Sequence, residues 1–132
     1  MRLLLDTHIL LRWLIDSKRL SRPQSRAIEE AMRRGEPVAV SAITLLEIAM
    51  LAHDGVIDIS ASVDEFFETA LAGNPAIILI PLSYGIASLA GGLKPLRDPA
   101  DRTIVATALV HKLRLVTSDS RIIESDLVPV VE

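Results

Sequence analysis

The sequence predicts an α/β fold of three layers, α/β/α, with a central, mostly parallel sheet of about five strands. Short apolar runs alternate with stretches of helical periodicity along the whole chain. The first run, Leu3-Leu4-Leu5, has no polar alternation, which is typical of a parallel strand buried on both faces. The 132 residues, half of them hydrophobic, suffice for one core, so a single domain over residues 1–132 is expected.

Capping and breaking residues mark where the elements begin and end. Ser21 with Gln24, and Ser62 with Glu65, have the spacing of capping boxes, and Asp98 is the expected N-cap of a long helix. The predicted strands are residues 3–5, 37–40, 76–80, 113–117 and 127–131. The predicted helices are residues 7–16, 21–34, 41–53, 62–72, 83–91, 98–111 and 120–124.

The composition excludes several kinds of site. The chain has no cysteine, which rules out disulfides, zinc–thiolate sites and cysteine nucleophiles. Only 3% of the residues are aromatic, which argues against a stacking platform for single-stranded nucleic acid, and a net charge of −3 does not favour binding by charge alone. There is no apolar run long enough to span a membrane and no signal-peptide pattern, so a cytoplasmic protein is expected.

Four acidic residues lie where a parallel sheet would bring them together. Asp6 follows the first strand, and Glu47 lies two turns into the helix after the second. Asp101 is in the first turn of the long helix, and Asp119 follows the fourth strand. Open α/β sheets bind ligands at the carboxyl ends of their strands. If the carboxylates converge, Mg²⁺ or Mn²⁺ would relieve their repulsion, polarise a phosphodiester and lower the pKa of a bound water.

Each acid also has a purely structural interpretation, and the residues alone leave both open. Asp6 suits an N-cap, and Asp119 suits a turn. Glu47 suits a solvated helix face, and Asp101 suits the positive end of a helix dipole. Whether Asp101 joins the others depends on how the loop before Asp98 docks.

Other polar residues give weaker signals. Arg12 and Arg102 are candidates for binding phosphate, with a solvated charge as the alternative for both. His8 is expected at the surface or in a capping role rather than on a substrate. The chain has neither a Ser-His-Asp nucleophile signature nor a glycine-rich phosphate loop.

Taken in order, four motifs carry a family resemblance. They are Leu5-Asp6-Thr7-His8, Ser41 with Glu47, Asp98-Pro99-Ala100-Asp101-Arg102, and Thr117-Ser118-Asp119. With these motifs the chain resembles a PIN domain, and within that family a VapC-type toxin of a bacterial or archaeal toxin–antitoxin pair. The resemblance covers essentially the whole chain.

The resemblance implies a Mg²⁺- or Mn²⁺-dependent endoribonuclease. Its catalytic and metal-binding acids would be Asp6, Glu47, Asp101 and Asp119, with Thr7 and Thr117 as supporting residues. Metal-activated water would cleave RNA and leave a 5′-phosphate and a 3′-hydroxyl. Ala100 departs from the pattern, because close relatives often carry a bulkier apolar residue there, but the departure removes no ligand.

The resemblance also implies partners. Such proteins form homodimers or toxin–antitoxin hetero-oligomers, and a VapB-type antitoxin wraps the toxin, often with a basic side chain in the acidic site. The pair binds its own promoter through the antitoxin, and no membrane partner is expected. Candidates for an apolar groove that holds the antitoxin tail, with core packing as the alternative, are Leu10, Leu11, Trp13, Leu14 and Leu46.

Two further classes of function are compatible with parts of the pattern. One is a non-catalytic PIN scaffold that binds RNA or a protein, but the presence of all four acids counts against it. The other is a different acidic pocket, either a receiver domain or a phosphatase of the haloacid dehalogenase kind. A receiver needs adjacent acids after its first strand, and the phosphatase needs a second aspartate where this chain has His8.

Overall fold

The computed structural model describes all 132 residues and contains one sheet of five parallel strands in the order β3-β2-β1-β4-β5. The strands are β1 (Leu3–Leu5), β2 (Val38–Ser41), β3 (Ile77–Ile80), β4 (Arg114–Val116) and β5 (Val130–Val131). This confirms the predicted sheet. The last strand is shorter than the predicted 127–131, and Pro129, just before it, has no N–H to offer a ladder.

Most helices begin at a side-chain cap. Ser21 forms the predicted capping box with Gln24, and Gly35 and Gly55 follow their helices with φ angles of +69° and +72°, which glycine adopts without strain. The box predicted at Ser62 forms only by half, because Ser62 accepts the N–H of Glu65 without a return bond. The helices are α1 (Thr7–Ile15), α2 (Arg22–Arg33), α3 (Ala42–His53), α4 (Val63–Phe66, continued by a π-helical segment at Phe67–Ala72), α5 (Tyr84–Gly91), α6 (Pro99–His111) and α7 (Ser120–Ser125).

The helices cover both faces of the sheet, which gives the predicted three layers. Leu3 and Leu5 point to a core shared with α1, α2, α3 and α4, whereas Leu4 points to a core shared with α5, α6 and α7. All three leucines are buried, as the unbroken apolar run predicts. Each core stabilises the sheet by removing apolar side chains from water.

The edge strand β3 is less covered than its sequence suggests. Ile78 and Leu79 are 42% and 47% exposed, and no strand pairs with β3 on its outer side. None of the helices combines the length and apolar character that crossing a membrane requires.

The register of the central strands brings their carboxyl ends level. Leu5 pairs with Val116 of β4 and with Val40 of β2. The residues that follow these positions are Asp6, Thr117 and Ser41. The carboxyl ends of these strands therefore form one edge of the sheet, and the first polar side chains after the apolar runs lie at this edge.

Candidate active site

Asp6 is fixed at the centre of this edge. Its backbone N–H donates to the carbonyl of Val116 at 3.0 Å, continuing the strand ladder by one residue. Its Oδ1 accepts the N–H of Thr7 at 2.8 Å, and its Oδ2 accepts the hydroxyl of Thr117 at 2.7 Å. Asp6 is therefore both the N-cap of α1 and a buried carboxylate held in one orientation.

Glu47 reaches the same edge from α3. The hydroxyl of Thr7 donates to Glu47 Oε1 and lies 3.0 Å from the hydroxyl of Thr44. Because a carboxylate only accepts, Thr7 gives its single hydroxyl hydrogen to Glu47 and accepts one from Thr44. Burial raises the pKa of Glu47, the hydrogen bond from Thr7 opposes that rise, and the nearby Asp6 and Asp98 add to it. Thr117 thus holds the carboxylate of Asp6, and Thr7 holds that of Glu47.

Asp101 is brought in by the loop before α6. Asp98 caps that helix by accepting the N–H of Ala100 at 2.9 Å, and Asp101 lies in the first turn, where it is only 8% exposed. Burial, followed by the charges of Asp98, Asp119 and Asp6, raises the pKa of Asp101 to about 7, while Arg121 opposes the rise. Its place in the first turn of α6 is also compatible with the dipole role considered for Asp101.

Arg102 contacts the main chain that precedes α6. Its guanidinium donates to the carbonyl oxygens of Leu96 at 2.5 Å and Gly91 at 3.3 Å, and it is not among the residues that line the cavity described below. Binding of substrate phosphate by Arg102 stays a prediction. Arg102 ties the end of α5 and the following loop to the start of α6, which fixes where Asp101 lies.

Asp119 caps α7 and binds a residue that the sequence analysis did not identify. Its Oδ1 accepts the backbone N–H of Arg121 at 2.9 Å, and its Oδ2 lies 3.3 Å from Nη2 of the same residue. Arg121 Nη2 also lies 3.9 Å from Asp101 Oδ2. Burial alone would raise the pKa of Asp119, but the hydrogen bonds and charge of Arg121 hold it below its ordinary value.

His8 and Arg12 contact the loop that carries Asp119. The N–H of Ser118 donates to His8 Nε2 at 2.9 Å, so the ring hydrogen is on Nδ1, which lies 3.5 Å from Asp6 Oδ2. Burial lowers the pKa of His8 despite the nearby Asp6, which agrees with a neutral ring. Arg12 donates to the hydroxyl of Ser118 at 3.3 Å. His8 is thus partly exposed and accepts a main-chain N–H, and its expected surface or capping role stays a prediction.

A cavity of about 440 Å³ lies at this edge and joins these side chains. Its acidic wall consists of Asp6, Glu47, Asp98, Asp101 and Asp119, and Asp16 also lines the cavity. The basic residues around it are Arg12, Arg19 and Arg121, and the apolar wall consists of Leu11, Ile15, Leu51, Val56 and Ile57. The four acids singled out in the sequence thus come together, although they belong to four separate segments of the chain.

The donor set fits a hard divalent cation. All the acidic donors are carboxylate oxygens, which Mg²⁺ and Mn²⁺ prefer, and the raised pKa values of Glu47 and Asp101 reflect repulsion and burial that a cation would relieve. No three of the carboxylates or histidines stand at the spacing that ligation of one ion requires in the described arrangement. Arg121, in contact with Asp101 and Asp119, occupies part of the space between them.

Comparisons with known proteins agree with this fold. A family model described as the PIN domain matches residues 3–126. Ribonuclease VapC22 of Mycobacterium tuberculosis is 37% identical over 119 residues, which are 90% of this chain and 88% of that protein.

Two solved structures are similar over most of their length. A toxin–antitoxin complex from Klebsiella pneumoniae contains a chain that is 26% identical with a TM-score of 0.60, covering 89% of this chain and 86% of that one. VapBC2 from Rickettsia felis, bound to a DNA fragment from its promoter, contains a chain that is 15% identical with a TM-score of 0.71, covering 98% of this chain and 97% of that one. At that identity the second likeness concerns the fold alone.

Proposed function

This chain belongs to the PIN domain family, and we propose that it is a metal-dependent endoribonuclease that acts as the toxin of a toxin–antitoxin pair. The observation that carries the proposal is the meeting of Asp6, Glu47, Asp101 and Asp119 in one cavity. A ribonuclease relative at 37% identity and a toxin–antitoxin neighbour support the same conclusion. The shared edge of the sheet supplies the rigid base on which such a site depends.

The carboxylates of Asp6, Asp101 and Asp119, with Glu47 beside them, would hold Mg²⁺ or Mn²⁺. When bound, such an ion would supply Lewis-acid polarisation of the phosphodiester and a lowered pKa for a water, the chemistry of a hydrolysis that would yield a 5′-phosphate and a 3′-hydroxyl. The chain itself positions the acids. Thr117 and the N–H of Thr7 orient Asp6, and the hydroxyl of Thr7 orients Glu47.

His8 and Arg12 affect the charge of the cavity. His8 is neutral, because Nε2 accepts the Ser118 N–H, so it adds no positive charge beside Asp6. Arg12 lines the cavity and is the proposed contact for an RNA phosphate. An RNA backbone entering the acidic cavity needs such cations, because its own charge would otherwise be repelled.

We propose that a VapB-type antitoxin binds the apolar surface beside the cavity. Leu46 and Met50 of α3 are 55% and 56% exposed, and Ile15 and Val56 extend the apolar surface to the cavity. A tail with apolar residues for this surface and one basic residue for the acids would cover the site. Of the groove candidates, Leu10 is fully buried and belongs to the core, whereas Leu11 lines the cavity.

Self-association is a second expected interaction. The open edge of β3 exposes Ile78 and Leu79, and Leu82 and Tyr84 beyond it are also exposed. An uncovered apolar edge is a ready surface for a second copy. We therefore propose a homodimer, to be measured by light scattering with Ile78→Lys as the disrupting variant.

Cleavage of a mixed RNA pool tests the proposed activity. The purified chain is incubated with Mn²⁺, with Mn²⁺ plus EDTA, and as Asp6→Asn. Asparagine is also a good N-cap, so this variant retains the start of α1 while removing the charge. We expect cleavage only by the wild-type chain with Mn²⁺, and products with 5′-phosphates. Cleavage that survives both EDTA and the substitution would refute a metal nuclease at this site.

Expression in a bacterial host tests the toxin role separately. We expect the wild-type chain to arrest growth and Asp6→Asn to leave growth normal at equal protein level. Cleavage in vitro without growth arrest would support the nuclease and contradict the toxin role.

A further inference from the structure

Arg121 spans two of the four acids. Its Nη2 lies 3.3 Å from Asp119 Oδ2 and 3.9 Å from Asp101 Oδ2, and its Nε lies 3.4 Å from Asp119 Oδ1. Of the three arginines that line the cavity, it alone forms an ion pair with the acidic wall. Arg12 donates to Ser118, and Arg19 forms no ion pair.

The start of α7 places the side chain of Arg121 beside Asp119. Asp119 caps α7 by accepting the backbone N–H of Arg121, so the same carboxylate receives both the main chain and the side chain of one residue. The side chain of Arg121 is 73% exposed and has no hydrogen-bond partner other than Asp119. The acids alone therefore hold the guanidinium, and no packing has to be broken to move it.

A carboxylate oxygen that binds a guanidinium closely is not free to ligate a metal ion through the same lone pair. Asp101 and Asp119 are both assigned as ligands by the proposed function, on which this inference rests. We propose that Arg121 is an internal competitor for the divalent cation, so that metal binds this site by displacing the guanidinium from Asp119 and Asp101. The residue thereby lowers the affinity of the site for metal.

The size of the competition follows from the exposure of the pair. Exposed ion pairs are weak, so we expect removal of the guanidinium to tighten Mn²⁺ binding by about two- to fivefold. Screening by salt weakens the pair, so the difference between variant and wild type is expected to shrink as ionic strength rises. A lysine at this position keeps the positive charge but loses the planar set of guanidinium donors. The affinity of Arg121→Lys for Mn²⁺ is therefore expected to lie between those of the wild type and Arg121→Gln.

Direct binding of Mn²⁺, followed by electron paramagnetic resonance of the free ion, tests the proposal without RNA. The set is the wild-type chain, Arg121→Gln, Arg121→Lys and Arg19→Gln. Arg19 lines the same cavity and its side chain forms no ion pair, so its variant controls for the loss of one positive charge. We expect the tightest binding by Arg121→Gln, intermediate binding by Arg121→Lys and wild-type binding by Arg19→Gln, with the largest differences at low salt.

The outcomes separate this inference from the proposed function. Equal or weaker binding by Arg121→Gln, with normal binding by the wild type, would overturn only the role of Arg121. An equal gain in Arg19→Gln would also overturn it, because general charge would then explain the effect. Failure of every variant to bind Mn²⁺ would overturn the metal site itself, and the competitor with it.

Discussion

Replacing Asp101 by asparagine is expected to stabilise the metal-free fold and to abolish the proposed activity. The carboxylate is buried among Asp6, Asp98 and Asp119, and its pKa is raised from 3.8 to about 7. Between these values the folded chain binds a proton that the unfolded chain releases. Stability is therefore lost as the pH rises through this interval, and the loss is complete above about pH 7.

The difference between the two pKa values of Asp101 sets the size of the effect on the free energy of unfolding. At 1.36 kcal/mol per unit of pKa, the charged form of Asp101 costs the fold at most about 4 kcal/mol. From about pH 5 to about pH 8, the advantage of Asp101→Asn over the wild type is expected to grow by about 1–3 kcal/mol. The comparison cancels other groups, such as His8, whose lowered pKa gives a pH dependence of the opposite sign.

Urea unfolding in EDTA at the two pH values measures this difference. Asp54→Asn is the matched control, because Asp54 is an exposed aspartate outside the cavity. We expect the control to follow the wild type at both pH values. The same pH dependence in Asp101→Asn and wild type would refute the claim that Asp101 is a strained carboxylate.

Three other substitutions test the supports of the site. Thr117→Val keeps the shape but removes the hydroxyl between Asp6 and the N–H of Asp119, so unfolding measurements are expected to show a loss of about 1–3 kcal/mol, while Thr117→Ser stays near wild type. Arg102→Met is expected to lower activity and cost about 1–3 kcal/mol by releasing the loop before α6; an equal effect of the exposed Arg97→Met would argue against a specific tie. The free energy of unfolding of Asp6→Ala, measured in urea, is expected to be about 1 kcal/mol below that of Asp6→Asn, because alanine cannot cap α1; equal stability would exclude a capping role.

Much of the site follows from local pattern. An apolar run that ends in a polar residue predicts where a parallel strand stops, and the in-register ends of β1 and β4 bring Asp6 and Thr117 into contact. The caps at Ser21 and Asp98 are likewise readable from spacing. These features depend on a few adjacent residues and on strand order.

Other features depend on contacts that no local pattern encodes. Asp101 joins the cavity because Arg102 binds carbonyls of Leu96 and Gly91, which sequence spacing does not specify. Arg121 lies in a short helix and resembles any solvated charge until Asp119 is known to cap that helix. Its position two residues after a capping aspartate was the one available signal.

The apolar residues show the same limit. Leu10 and Leu46 are both candidates for either the core or the antitoxin groove, and only packing separates the buried Leu10 from the exposed Leu46. Likewise, the apolar run of β3 predicted a strand, but not that it would form an edge of the sheet.

The most direct test of the central claim is a crystal structure of the chain soaked with Mn²⁺, measured with anomalous scattering. We expect an anomalous peak inside the cavity at about 2.0–2.3 Å from carboxylate oxygens of Asp6, Asp101 and Asp119. The guanidinium of Arg121 is expected to have left both acids. At saturating Mn²⁺, an empty cavity, or a peak that touches none of these carboxylates, would contradict the account.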